Sequence, residues 1–251
     1  MARLSNMKGR FMSDTIEYTS WPIGQLPPEF RRPELEQVKE FGYYWSDPRD
    51  IVDAFEKKVA RFAGSKYAVA VDCNSHAIFL SLICLKRKQT GHTVYPETIK
   101  IPRHTYISVA QQIIHAGFKV EFTNEEWMGA YKLEPYDIWD AAVRWTRDMY
   151  LGGFHCVSFQ IKKRVPIGRG GMILLDDKED YEYLKKIRYD GRELDGPYDD
   201  DPFEHLGWHY YMTPEDAARG IILMDSVPKE NEDYAGWKNY PDISKARFLQ
   251  K

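Results

Sequence analysis

The residue types best suited to chemistry gather in SFQIKKRVPIGRGGMILLDD, Ser158 to Asp177. Val157 to Ile161 are mostly apolar and β-prone. Lys162, Lys163 and Arg164 follow at once, and Gly168, Gly170 and Gly171 supply a turn that permits close backbone approach. Met172 to Leu175 are then an apolar run of strand length. Strand, turn, strand is the predicted local structure. A lysine leaving a buried strand in this way is desolvated, which lowers its pKa and frees the amine to attack a carbonyl carbon. The commoner meaning of such spacing is a basic hairpin on a solvated face.

Other candidates fall at predicted strand ends. Tyr67 to Val71 (YAVAV) is a short strand, followed by the small-residue turn DCNSHA and an apolar helix from Ile78 to Leu85. The free N–H groups at such a helix start suit an anion. Ordinary strand-to-helix turns are more frequent, and His76 there is equally open to a structural role. Ile138 to Ala142 (IWDAA) closes a strand on Asp140. An acid in that place caps the next helix or, less often, pairs with a cation. Tyr106 lies just beyond the strand Thr98 to Pro102.

These residues need elements to hold them. Ile51, Phe55, Val59 and Phe62 recur at helical spacing after the N-cap candidate Asp47, and Gly64 ends that helix. Further helices are predicted over Ile107 to His115, over Asp180 to Tyr189, and from Thr213 onward. Phe118 to Phe122 is another strand. The β-α-β-α-β order predicts an α/β layer with a largely parallel sheet, whose ligands lie beyond the carboxyl ends of the strands. Residues 1–46 read as a tail and an extended, proline-containing arm, 47–227 as the α/β domain, and 228–251 as a polar C-terminal tail.

Composition narrows the function classes. A net charge of −3 gives no basic field for nucleic acid. Cys73, Cys84 and Cys156 have no metal-ligand spacing, and so sparse a set predicts free thiols in a reducing compartment. No apolar run reaches the length of a membrane span, and MARLSNMKGRFMSD lacks the apolar core of a signal peptide. A soluble, cytoplasmic protein with no metal site is expected, with Met7 and Met12 as alternative starts.

Five blocks in order resemble the DegT/DnrJ family of pyridoxal-phosphate (PLP) sugar aminotransferases. They are FEKKVARFAGSKYAVAV, IPRHTYISVAQQIIHAG, DAA at 140–142, SFQIKKRVPIGRGGMI and LGWHYYMTPEDAARG. The resemblance implies an aspartate-aminotransferase-like (type I PLP) large domain with a mostly parallel central sheet. It further implies that Lys163 is the Schiff-base lysine, with Lys162 its neighbouring rival. Asp140 would pair with the pyridine nitrogen, Tyr106 would stack on the ring and Ser158 would touch the phosphate. Asn74, Ser75 and His76 occupy the place of a Gly-Thr-Ala phosphate turn, where Ser75 keeps the hydroxyl of the threonine. His209 stands where an asparagine reaches the partner subunit's phosphate, so a homodimer is expected.

The departures are as specific. Val143 replaces the His or Gln that meets the ring hydroxyl, and Tyr211 replaces an arginine. Measured against the family, the interval from Phe122 to Ile138 implies that one strand–helix–strand unit is missing, and the C-terminal small domain of a typical member is expected to be largely absent. The implied activity is amino transfer from an amino acid, glutamate in much of the family, to a nucleotide-linked keto-sugar. Two alternatives are a PLP-dependent dehydratase or isomerase, against which Lys163 argues, and a degenerate binding protein of the same fold, which Val143 favours.

Overall fold

The computed structural model describes residues 32–44, 47, 49–88, 96–194 and 196–249. The chain divides after Pro33, and Glu34–Lys251 is the unit that carries the fold. Most of the expected N-terminal tail and arm lies outside the described residues. Residues 34–40, however, are helical rather than extended: α1 is Glu34–Glu40, and its Val38 is fully buried.

Helix α2 (Arg49–Ala63) begins where the Asp47 carboxylate accepts the Arg49 N–H at 2.8 Å. It ends at Gly64, whose φ of +83° suits a residue without a Cβ. β1 (Tyr67–Val71) leads into α3 (Asn74–Arg87), and β2 (Thr98–Pro102) into α4 (Ile107–His115) and β3 (Lys119–Thr123). Short strands β4 (Tyr131–Lys132) and β5 (Ile138–Asp140) precede β6 (Phe154–Ser158) and β7 (Gly171–Leu175). α5 (Lys178–Ile187) and α6 (Pro214–Ser226) follow.

The main sheet has the order β1-β7-β6-β5-β4, while β2 and β3 form a parallel pair of their own. The sheet expected to be mostly parallel is mixed. β1, β6 and β5 share one direction, but β7 runs against both β1 and β6, and β4 runs against β5. The reason is local. β6 and β7 are joined by a hairpin without a helix, and only a crossover could have made them parallel. The described residues between β3 and β6 likewise form no helix; Glu134 instead exchanges backbone hydrogen bonds with Lys100 of β2 at 2.8 and 3.1 Å.

Strand alternation assigns the two cores. Val69, Val71, Ile173, Leu175 and Cys156 face α3, α4 and α5, whereas Ala68, Ala70, Met172, Leu174 and Val157 face α2 and α6. The centre of α3 is wrapped in apolar neighbours: Ala77, Ile78, Leu80, Leu82 and Cys84 are all fully buried. Residues 228–249, expected to be a polar tail, pack back on this unit. The Ile243 N–H donates to Arg103 O at 2.9 Å, Gly129 N–H to Tyr234 O at 3.1 Å, and Asn231 Nδ2 to Trp145 O at 2.7 Å. Single aromatic and apolar residues anchor the segment in place of a periodic face.

Candidate active site

One position in the sheet gathers the chemistry. Gly171 opens β7 and pairs with Val71, the end of β1, and with Ser158, the end of β6. The β1–α3 turn, Ser158 and the β6–β7 loop bearing Lys163 therefore emerge together. Contact there is close: a Cβ on Gly171 would lie 2.5–2.6 Å from the Cys73 carbonyl and the Asn74 nitrogen.

Six of the eight residues singled out from the sequence line one cavity of about 580 Å³: Asn74, Ser75, Tyr106, Asp140, Ser158 and Lys163. α3 starts at its edge. Its N-cap, Cys73, gives no side-chain capping hydrogen bond, so the first N–H groups of α3 are left for another acceptor. Ser75 Oγ lies 2.6 Å from Ser108 Oγ, on the first turn of α4. Ser158 is buried, and its Oγ accepts the Gln160 N–H at 3.4 Å. Tyr106 presents an exposed ring, edge-on to Tyr240 at 6.3 Å.

Lys163 and Lys162 are distinguished by their surroundings. Lys162 is exposed, while Lys163 is partly covered. Burial lowers the pKa of the Lys163 amine, and the Asp140 carboxylate opposes that shift. Asp140 is 5% exposed. Its Oδ1 accepts from Asn74 Nδ2 at 3.0 Å and from the Ala142 N–H at 3.1 Å, and its Oδ2 accepts from the Tyr131 hydroxyl at 2.8 Å. Burial raises its pKa; Tyr131, Ala142, Lys163 and Asn74 counter that rise. The helix-capping alternative for Asp140 is not what forms, since β5 runs on to β6 with no helix between them among the described residues.

His76 and His209 do not line the cavity. His76 Nδ1 pairs with Asp72 Oδ1 at 2.5 Å, and its ring stacks on Tyr210 at 3.6 Å. Burial works against its charged form, but hydrogen bonds to Asp72 and Cys73 prevail and raise its pKa to about 9. Asp72, Cys73 and His76 offer ligand atoms within 4.8 Å of one another, a grouping that sequence spacing did not suggest. Arg169 already pairs with Asp72, at 2.6 Å. His209 is on the surface, with Nδ1 2.8 Å from Asp190 Oδ2, and Tyr211 borders a separate cleft of about 500 Å³.

The cavity also contains residues that the sequence alone did not mark: Thr105, Trp127, Arg169, Tyr234 and Tyr240. Behind it, Tyr131 is fully buried and bonded to both Asp140 and Thr105. Tyr131 sits in a stretch with no clear period. Tyr234 and Tyr240 belong to the segment without hydrophobic patterning. Val143 is an apolar part of the wall. No helix among the described residues is long and apolar enough to cross a membrane.

Known proteins share the fold of this chain. The chain matches the model of the DegT/DnrJ/EryC1/StrS aminotransferase family over residues 29–138 and 149–235. It is similar to the spore coat polysaccharide biosynthesis protein SpsC of Bacillus subtilis (strain 168), at 24% identity over 81% of this chain and 64% of SpsC. AtS13 from Actinomadura melliaura superposes with a TM-score of 0.62 and 17% identity, covering 77% of this chain and 64% of that one. The sugar aminotransferase CalS13 from Micromonospora echinospora gives 0.61 and 15%, covering 76% and 64%. The chain thus spans less than two thirds of the length of these relatives. The likeness establishes an α/β, type I PLP aminotransferase-like fold with a mixed central sheet. Matched over most of its length, the chain belongs to the DegT/DnrJ/EryC1/StrS aminotransferase family.

Proposed function

We propose that this protein is a PLP-dependent aminotransferase, moving an amino group from an amino acid, glutamate first among candidates, to a nucleotide-linked keto-sugar. The observation that carries the reading is that a partly buried Lys163 and a buried Asp140 line one cavity at the start of α3. Relatives named for polysaccharide biosynthesis and sugar amination support the substrate class.

The residues present fit PLP. The uncapped N-terminus of α3, Ser75 and Ser158 suit a phosphate dianion. Gly171, having no Cβ, lets β7 approach the β1–α3 turn closely. Asn74 Oδ1 is a buried acceptor without a donor, and Asp140 Oδ2 has accepted only one hydrogen bond, so the cavity floor suits an N–H. When bound, PLP supplies an electron sink that lets an amino group leave one carbon and join another. Lys163 Nζ is the nucleophile that would hold the cofactor's carbonyl carbon, and its amine would serve as the base that moves the substrate proton. Asp140 would keep the ring nitrogen protonated, and Tyr106 would cover a ring face. Val143 offers no hydrogen bond, so the ring hydroxyl loses one contact usual in the family. His76 acts behind the phosphate turn, and His209 acts from the surface of a homodimer.

Absorption of protein mixed with PLP, before and after glutamate, tests this. The expected result is a visible band that glutamate bleaches, absent in Lys163→Ala and kept in Lys162→Ala. No band in the native chain would refute the reading. A band indifferent to every amino donor would favour the degenerate binding protein that Val143 suggests.

A further inference from the structure

Asp140 is more elaborately held than a lone ring partner needs to be. Three donors meet it at 2.8–3.1 Å, and behind one of them Thr105 Oγ1 lies 2.5 Å from the Tyr131 hydroxyl. Thr105 and Tyr131 are each 1% exposed, so neither hydroxyl has water as an alternative partner. A carboxylate only accepts. With Asp140 ionised, the Tyr131 hydroxyl must donate to Oδ2, and its own oxygen must then take the Thr105 proton. The chain Thr105 to Tyr131 to Asp140 thus has one direction when Asp140 is charged. Protonating Asp140 removes the reason for that order. On the other side, Asn74 Nδ2 donates to Oδ1.

We infer that Thr105, Tyr131 and Asn74 are positioning residues that keep Asp140 a carboxylate, with its remaining lone pair free for the cavity. None of them reaches the reacting atoms; all act through Asp140. The chemistry rests on the cavity being a PLP site, but the main test does not.

The charged and titratable groups around Asp140 are Lys163 on the β6–β7 loop, Cys156 on β6, Tyr131 on β4 and Tyr240 on the C-terminal segment. Burial raises the pKa of Asp140 above the ordinary carboxyl value, and the donors limit the rise. An acid whose folded pKa is raised loses its proton first in the unfolded chain. Stability then falls as pH climbs from the unfolded to the folded value, and is level beyond it. Removing a donor lifts the folded value further, so the fall continues to higher pH.

The experiment is thermal unfolding of the cofactor-free full chain from about pH 5 to 8, for wild type, Tyr131→Phe and Thr105→Val. The expected result is a gap in Tm between wild type and Tyr131→Phe that widens with pH by about 2–4 °C. Thr105→Val should show a smaller gap of the same sign. A gap constant with pH would mean that only packing was lost, and would overturn the inference. Should Tyr131→Phe fail to fold, Thr105→Val and Asn74→Gly, each one donor short, carry the same test. PLP titration separates the two readings. If the wild type binds PLP, Tyr131→Phe should weaken it about tenfold at the alkaline end. Equal affinity there would also overturn the positioning role. A wild type that binds no PLP would defeat the proposed function, while the Tm series would still judge the relay.

Discussion

His76 shows how a residue can matter to a site it does not line. Its imidazolium is held by Asp72 at 2.5 Å and stacked against Tyr210, with Arg169 and Cys73 close by. The folded pKa, about 9, exceeds the ordinary histidine value of 6.5. The stabilisation is therefore complete below the unfolded value and is lost as pH rises through the folded one. Thermal unfolding should show a decline in Tm between about pH 6.5 and 9 that His76→Gln removes. A native curve as flat as that of the variant would count against the Asp72 pair. Sequence made His76 visible because a histidine at a helix start is conspicuous. It could not show that the ring turns away from the cavity, because that depends on Tyr210, far along the chain. Tyr131 was hidden for the opposite reason: tyrosines abound in this chain, and only burial beside Asp140 marks this one out.

At the level of elements, the strand–turn–strand reading of 158–177 was legible because glycines and an apolar run punctuate it. The same reading implied a reversed β7, yet the alternating strand–helix order suggested a mostly parallel sheet. The hairpin decides locally, and the crossovers decide elsewhere. Residues 34–40 were read as arm because prolines precede them, although α1 has a buried Val38. Gly171 is where element geometry is least forgiving. A methyl group there meets backbone atoms of Cys73 and Asn74, which cannot move without moving the start of α3. Gly171→Ala should cost about 1–3 kcal/mol of stability and weaken phosphate-dependent PLP binding. Denaturant unfolding that matches the native chain would show the turn to be more yielding than the structure indicates.

For the whole molecule, the family assignment leaves the assembly to be measured. Leu206 and Phe203 stay 81% and 54% exposed in the segment leading to His209, a cost that a second subunit would remove. Sedimentation at micromolar concentration should show a homodimer that Leu206→Asp with Phe203→Asp converts to monomer; a native monomer with full activity would end that reading. The C-terminal segment was the least legible part of the chain, since isolated residues such as Tyr240 and Ile243 anchor it, and no periodicity announces isolated anchors. The way the molecule fails turns on Gly171. Its pairings with Val71 and with Ser158 hold the middle of the sheet together with the β1–α3 turn, Ser158 and the β6–β7 loop of the site. The C-terminal segment that brings Tyr234 and Tyr240 to the cavity is anchored separately. Loss of the Gly171 pairings would take Asn74, Ser158 and Lys163 out of the cavity in one step.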